Sequence, residues 1–263
     1  MRPVQRTESD PLASLAALPG VADEMTAARE AIDAVMWDRR VRAASLEIAR
    51  QSELRGASAS AALEGADLAI VEDSPMGRTL LAAQAVTEQV RHEVRTWEHA
   101  PLQVLATLHA VAVRALGHDD EPGRPRTVAV DLDPGVDPLR IGMLAPADVV
   151  ADRLQALARV LVQPTRAPGL VVAAVVHGEL LALRPFRVGS GLVARAAVRC
   201  VLASLGVDPS AFTIPEEGML AAGRPAYVRG VQDFASGDPE RMASSLIGFA
   251  RSCAQGAAVV SVD

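Results

Sequence analysis

The chain has 263 residues, half of them hydrophobic but only 3% aromatic, and a formal charge of −6. That length and apolar content suit one large domain with its own core, and a mix rich in Ala, Leu and Val points to closely packed helices, not an aromatic-paired sheet. All 26 basic residues are Arg and no Asn occurs. This excludes a Gly-Lys-Ser/Thr phosphate loop, a Schiff-base lysine and a Cys-His-Asn protease set, while the negative charge argues against a nucleic-acid-coating surface. In chain order, residues 1–20 read as a flexible tail punctuated by Pro3, Pro11, Pro19 and Gly20. A long helix is expected over 22–54, followed by a separate segment over 56–65, then helices over 76–98 and 101–116. A short β-hairpin over about 126–142, turning at Asp133-Pro134-Gly135, comes next. Helices over 147–162, 170–183, 190–205, 224–235 and 239–254 and a short tail over 256–263 complete the chain. No apolar run reaches the length of a membrane span, since even Leu170 to Val176 is interrupted by His177 and Glu179. Cys200 and Cys253 have no Cys-x-x-Cys spacing and fall in predicted helices, which suits buried, reduced thiols in a soluble cytoplasmic protein. Arg39, Arg40 and Arg42 beside Trp37 read as a solvated helix face.

The segment that carries chemistry is 184–195, Arg-Pro-Phe-Arg-Val-Gly-Ser-Gly-Leu-Val-Ala-Arg. A Gly-x-Gly turn opening a helix leaves backbone N–H groups unpaired at the positive end of the helix dipole, a concavity suited to an anion. Ser190 is placed to cap that helix, and Arg195 lies one turn further on, within reach of a bound phosphate. The same pattern in isolation is ordinary turn chemistry. Ser60-Ala61-Ala62-Leu63-Glu64-Gly65 offers a second candidate, a hydroxyl and a carboxylate four residues apart, which alone reads as a helix cap and a surface acid. His177, on a predicted buried helix, reads as a satisfied structural imidazole.

Together these segments resemble the Fic family (Fido fold), whose signature is His-x-Phe-x-(Asp/Glu)-Gly-Asn-Gly-Arg-x-x-Arg. Phe186, Gly189, Gly191 and Arg195 match in register. Leu108-His109, Pro122-Gly123-x-x-Arg126-x-Val128, Arg224-Pro225-Ala226-Tyr227 and Gly237-Asp238 match further family elements in the same order, and Ser60–Gly65 is similar to the family's (Ser/Thr)-x-x-x-Glu-(Gly/Asn) inhibitory motif. The resemblance implies a mainly α fold: a Fic/Fido helical domain over 99–255 with a hairpin flap, preceded by a helical extension over 21–98 carrying the inhibitory-like motif.

It also implies a nucleotide or phosphate site formed by Arg184, Phe186, Gly189, Ser190, Gly191 and Arg195, regulated by Ser60, Glu64 and Gly65, with Glu64 paired to Arg195. The family's chemistry is the transfer of AMP from ATP to a hydroxyl. Here Arg184 stands at the catalytic His, Val188 at the metal-holding acid, Ser190 at the Asn and Leu192 at the first Arg. A guanidinium stays protonated and cannot be a general base, and Val188 has no oxygen for Mg²⁺, so no catalytic or metal-binding residue is assigned. The expected function is a catalytically impaired pseudoenzyme that binds ATP or another nucleotide, or a protein target at the 126–142 hairpin. A transferase with non-standard residues and a structural module with a closed pocket are the alternatives. A homodimer is compatible with this reading; nucleic acid and membrane are not expected partners.

Overall fold

The computed structural model describes residues 10–66, 74–119, 121–129, 137–142 and 144–261. Twelve helices are formed among the described residues: α1 (Pro11–Ala16), α2 (Val21–Trp37), α3 (Arg39–Ala43), α4 (Ser45–Leu63), α5 (Pro75–Trp97), α6 (Pro101–Leu116), α7 (Ala147–Leu161), α8 (Gly169–Leu183), α9 (Ser190–Ser204), α10 (Pro215–Ala221), α11 (Arg224–Ala235) and α12 (Pro239–Ala258). None of them is long and apolar enough to cross a membrane. Their arrangement follows from how widely each is apolar. In α8 and in α9, 13 of 15 residues are buried: α8 is apolar nearly all round and must be covered on every side, and the two arginines of α9, Arg195 and Arg199, are paired with carboxylates inside the protein. They pack on each other at the centre; α5 and α6 cover α9, α11 and α12 cover α8, and α4 joins α5 to α10. By contrast α7 buries only Val150, Leu154 and Leu157, spaced four and three apart, and so lies at the periphery.

Several boundaries differ from the sequence expectation, each for a local reason. Within the predicted N-terminal tail, α1 forms because the Asp10 carboxylate accepts from the Leu12 and Ala13 amides at 3.1 and 3.0 Å. The same carboxylate takes the Thr165 hydroxyl at 2.9 Å and the Arg166 amide at 2.8 Å, fastening residue 10 to the start of the α8 approach. The predicted C-terminal tail is also helical at first, since α12 continues to Ala258 with Gly256 and Ala257 buried. The single long helix is three. Asp38 is extended (φ −64°, ψ 125°) and caps α3 through the Arg40 and Val41 amides, so the chain bends there. Conversely, α4 runs straight through the expected separate segment to Leu63, which puts Ser60 in a buried helix interior and not at a cap. Of the expected hairpin, residues 130–136 lie outside the described residues. The described flanks form no strand: residues 137–142 make a turn in which Asp137 accepts from the Ile141 amide at 2.8 Å and the Gly142 amide at 2.9 Å.

Helix α10 and its seam with α12 were not anticipated. The Ile214 amide bonds the Gly256 carbonyl at 2.9 Å, and the backbones touch so closely that a Cβ on Gly218 would land on the Ser252 carbonyl oxygen. Gly218→Ala is therefore expected to force the two helices apart at a cost of about 1–3 kcal/mol, read as a lowered urea midpoint with an unchanged slope.

Candidate functional site

The site lies where α9 begins. Gly189 precedes it in the left-handed region (φ 71°), the conformation that turns the Gly-x-Gly segment into a concavity at the helix N-terminus. Ser190 does not cap the helix as expected. Its hydroxyl turns back to the loop, donating to the Phe186 carbonyl at 2.9 Å and accepting the Phe186 amide at 3.1 Å. Phe186 is thereby fixed, and its ring stacks on His109 with centroids 3.9 Å apart and planes 8° from parallel. His109 Nδ1 in turn accepts the Gly123 amide at 3.0 Å. Arg126 clamps the other side, its guanidinium donating to the carbonyls of Arg184 (2.9 Å) and Leu183 (3.1 Å) at the end of α8 and of Ala145 (2.6 Å) just before α7. The Leu108-His109 and Pro122–Arg126 segments thus both reach the 184–195 loop.

The two key cations do not face open solvent. Arg195 is 1% exposed and all of its donors are directed into the protein. Nε donates to Ser60 Oγ at 2.8 Å, Nη2 to the Ser60 carbonyl at 3.1 Å and to Glu64 Oε1 at 2.6 Å, and Nη1 to the Tyr227 hydroxyl at 3.2 Å. The Glu64 carboxylate sits over Gly191, where a Cβ would collide with Oε1. The concavity that suits an anion therefore contains one, and it belongs to the chain. Gly65 follows at the rim beside Arg224.

Arg184 was placed among cations surrounding the Gly189–Gly191 turn; its backbone is left-handed (φ 42°, ψ 68°), and its side chain, 2% exposed, walls the small space against that turn while it pairs with residues 137–142. Nη1 pairs with Asp137 at 2.8 Å and Nη2 donates to the Gly142 carbonyl at 2.7 Å. Arg187 is exposed, Val188 is buried, and Leu192 is buried in a small cluster with Ala57, Ala61, Ala82 and Ala83. Among the described residues no cluster of His, Cys, Asp and Glu could hold a metal ion.

Two spaces adjoin the loop. The inner one, walled by Glu64, Asp137, Ile141, Arg184 and Gly191, has about 10 Å³, room for no more than one water. The outer cleft is about 1070 Å³ and is lined by Glu64, Gly65, residues 137–140 and the start of α11. Arg140 and Arg224 line this cleft, both exposed and neither ion-paired among the described residues.

No family model matches the chain and no curated protein matches it. Solved structures do match. A Fic family protein from Desulfovibrio desulfuricans G20 superposes with a TM-score of 0.67 at 17% identity, over 91% of this chain and 73% of that one. Fic-1 (aa134–508) from C. elegans superposes with a TM-score of 0.66 at 14% identity, over 90% and 72%. This chain has the Fic fold. On the Fic fold assembled here, the loop from Arg184 to Arg195 joins the two central helices, and Ser60–Gly65 closes over it from α4.

Four contributors were missed from sequence. Asp137 lay in a segment read as strand. Tyr227 was noticed only as part of a helical match, and Arg199 and Glu216 were not singled out at all. Arg199, one turn beyond Arg195, pairs with Glu216 through Nε and Nη2 at 2.6 and 2.7 Å and donates to Ser52 Oγ at 3.2 Å. Two Arg–Glu–Ser sets thus bind α9 to α4 and α10. Gly56 is required there because any side chain at that position would strike the Arg199 guanidinium.

Burial pushes the Tyr227 pKa up, with the nearby Arg195 charge opposing it. Tyr227 is the one tyrosine of the chain, so phenolate absorbance reports it alone. Because the folded pKa exceeds the unfolded value of about 10, stability is fully present below pH 10 and is lost as pH rises through the folded pKa. Phenolate is expected to appear only together with alkaline unfolding seen by circular dichroism. The Cys200 thiol, pushed up to about 12 by burial, stays protonated and is not a nucleophile.

Proposed function

We propose that this chain is a Fic-fold protein without transferase turnover, an interaction module whose inner anion pocket is held shut by its own residues. The observation that carries this reading is the buried neutralisation of both cations, Arg195 by Glu64 and Arg184 by Asp137. A guanidinium at 184 is no general base, and the two carboxylates that wall the inner pocket, Glu64 and Asp137, are each held in a buried ion pair with an arginine. Val188 offers no metal ligand, and the place a phosphate would occupy is filled by the Glu64 carboxylate. Partner binding then falls to the outer cleft, whose size and exposed Arg140 and Arg224 suit a segment of an acidic protein.

One observation favours a second reading, in which nucleotide binding without turnover is gated by Glu64. The blocking carboxylate is the residue that ends α4, so it can withdraw without unwinding the helix. Calorimetry with Mg-ATP separates the two. The native chain is expected to give no binding heat, and Glu64→Gly is expected to bind ATP because Arg195 and the Gly191 amide are uncovered together. Binding by the native chain would overturn the closed-pocket reading; silence from Glu64→Gly would remove the gated one.

A further inference from the structure

At the end of α9 away from the loop, residues 206–212, α2, α3 and the start of α4 enclose a groove of about 470 Å³, the size of known ligand pockets. The 15 residues of α9 separate it from the loop by about 22 Å, so it is no extension of the outer cleft. Trp37, Arg42, Pro209 and Phe212 are among its walls, together with Arg29 and Asp33.

The two tryptophans of the chain differ sharply. Trp97 lies in the main core at 5% exposure, whereas Trp37 is 70% exposed. Leu46, 90% exposed, follows the wall residue Ser45, and Leu205, 49% exposed, precedes the wall residue Gly206. Three of the seven large apolar side chains left exposed among the described residues are thus gathered at one groove. Scattered singly they would mean nothing; gathered, they mark an interaction surface. The Arg42 guanidinium lies over the Trp37 ring, 5.6 Å from its centroid, which orients the tryptophan in advance of any partner.

The local charge has the opposite sign to that of the chain, which carries −6. Arg39 and Arg42 are exposed and form no ion pair among the described residues. Arg40 comes only within 3.8 Å of Asp38, whose carboxylate is engaged by the Arg40 and Val41 amides. The nearby acids are occupied: Asp33 by Arg29 at 2.9 Å, Glu47 by Arg50 at 2.8 Å, and the buried Asp208 by the Phe212 and Thr213 amides. Solvation accounts for three arginines in a row on a short helix, but not for the tryptophan among them.

We propose that this groove docks an acidic segment of a partner protein, one large apolar side chain entering beside Trp37 and flanking carboxylates meeting Arg39, Arg40 and Arg42. Tryptophan and arginine are the side chains on which interface energy concentrates, and complementary charge selects the partner. The concavity suits a chain segment better than a bilayer, which presents a plane. Docking here is independent of the closed loop and of the outer cleft.

The test uses the full chain and acetylated, amidated peptides of the pattern Asp-Glu-X-Asp-Glu, X being Phe, Leu, Ile or Met, with uncharged Asn-Gln-X-Asn-Gln counterparts. None contains tryptophan and Trp97 is buried, so protection from acrylamide quenching on titration reports Trp37. At low ionic strength at least one acidic peptide is expected to protect Trp37 saturably below millimolar concentration, and its uncharged counterpart to bind about tenfold more weakly. Arg39→Glu with Arg42→Glu changes only exposed side chains, so the fold should persist by circular dichroism; this protein should lose the acidic preference and favour Lys-Arg-X-Lys-Arg instead. No saturable protection by any acidic peptide, equal binding of the uncharged set, or an unchanged preference in the Arg39→Glu, Arg42→Glu protein would each overturn the proposal. So would tighter protection by phosphatidylserine vesicles than by the peptides, which would make the patch a membrane surface. Protection that grows with protein concentration alone, with a dimer in sedimentation that Trp37→Ala abolishes, would assign the groove to a second copy of the chain instead.

Discussion

Glu216→Ala is expected to destabilise the chain by about 3–5 kcal/mol, because it leaves the Arg199 guanidinium charged, buried and without its carboxylate. Arg199 and Glu216 are 5% and 3% exposed, so water cannot replace the lost partner. Ser52 supplies only a hydroxyl and a carbonyl in return. For a domain of this size the loss corresponds to a melting temperature lower by about 10 °C. The desolvation argument also sets a control: Arg199→Met combined with Glu216→Leu removes both charges and should recover much of the loss, since an apolar pair of similar volume avoids the uncompensated ion. Urea denaturation of the two proteins checks both statements. Equal destabilisation by the single and the double change would mean that packing, and not the stranded charge, sets the cost.

The second large effect concerns transfer. No incorporation of label from α-labelled Mg-ATP into the chain itself or into a cell extract is expected, either from the native chain or from Glu64→Gly. Loss of a general base alone costs about 10²–10⁴-fold, and uncovering Arg195 supplies neither a base nor a metal ligand. Restoring the signature with Arg184→His, Val188→Asp, Ser190→Asn and Leu192→Arg is also expected to fail, for a reason visible only in the fold. Leu192 is 2% exposed against Ala57, Ala61, Ala82 and Ala83, so an arginine there must be buried among methyl groups without a counter-ion. Ser190→Asn further removes the hydroxyl that pins Phe186. The restored protein should lose stability before it gains activity, which denaturation and labelling measured on the same sample will show. Robust transfer by the native chain, lost on Arg195→Ala, would instead establish a transferase working through other residues.

Much of this architecture was legible because it rests on local patterns. The continuous apolar run of 170–183 and the Ala-rich run after Ser190 required buried helices, and both became the central pair. Glu64 and Arg195 could be paired from sequence because each sits in its own motif; the 2.6 Å contact spans 131 residues of chain. What escaped depends on tertiary geometry. The Arg184–Asp137 pair needs a left-handed arginine, a backbone state that no periodicity encodes and that a β-carbon disfavours. A separate segment was expected from Gly56 onward, whereas the glycine admits the Arg199 guanidinium and the helix continues past it to Leu63. Ser190 read as a cap by residue type, yet its hydroxyl found nearer partners in Phe186.

The inner pocket has walls of unequal permanence. Its floor belongs to the buried helices α8 and α9, whose amides are expected to exchange with solvent only on global unfolding. Its opposite wall, 137–142, is organised by a single carboxylate that holds the Ile141 and Gly142 amides and the Arg184 guanidinium at once. Widening the pocket therefore means displacing that turn, and hydrogen exchange at Ile141 and Gly142 measures how often the turn lets go. Protection there sets an upper limit on how frequently anything from the outer cleft, which already borders Glu64, enters the inner space against Gly191.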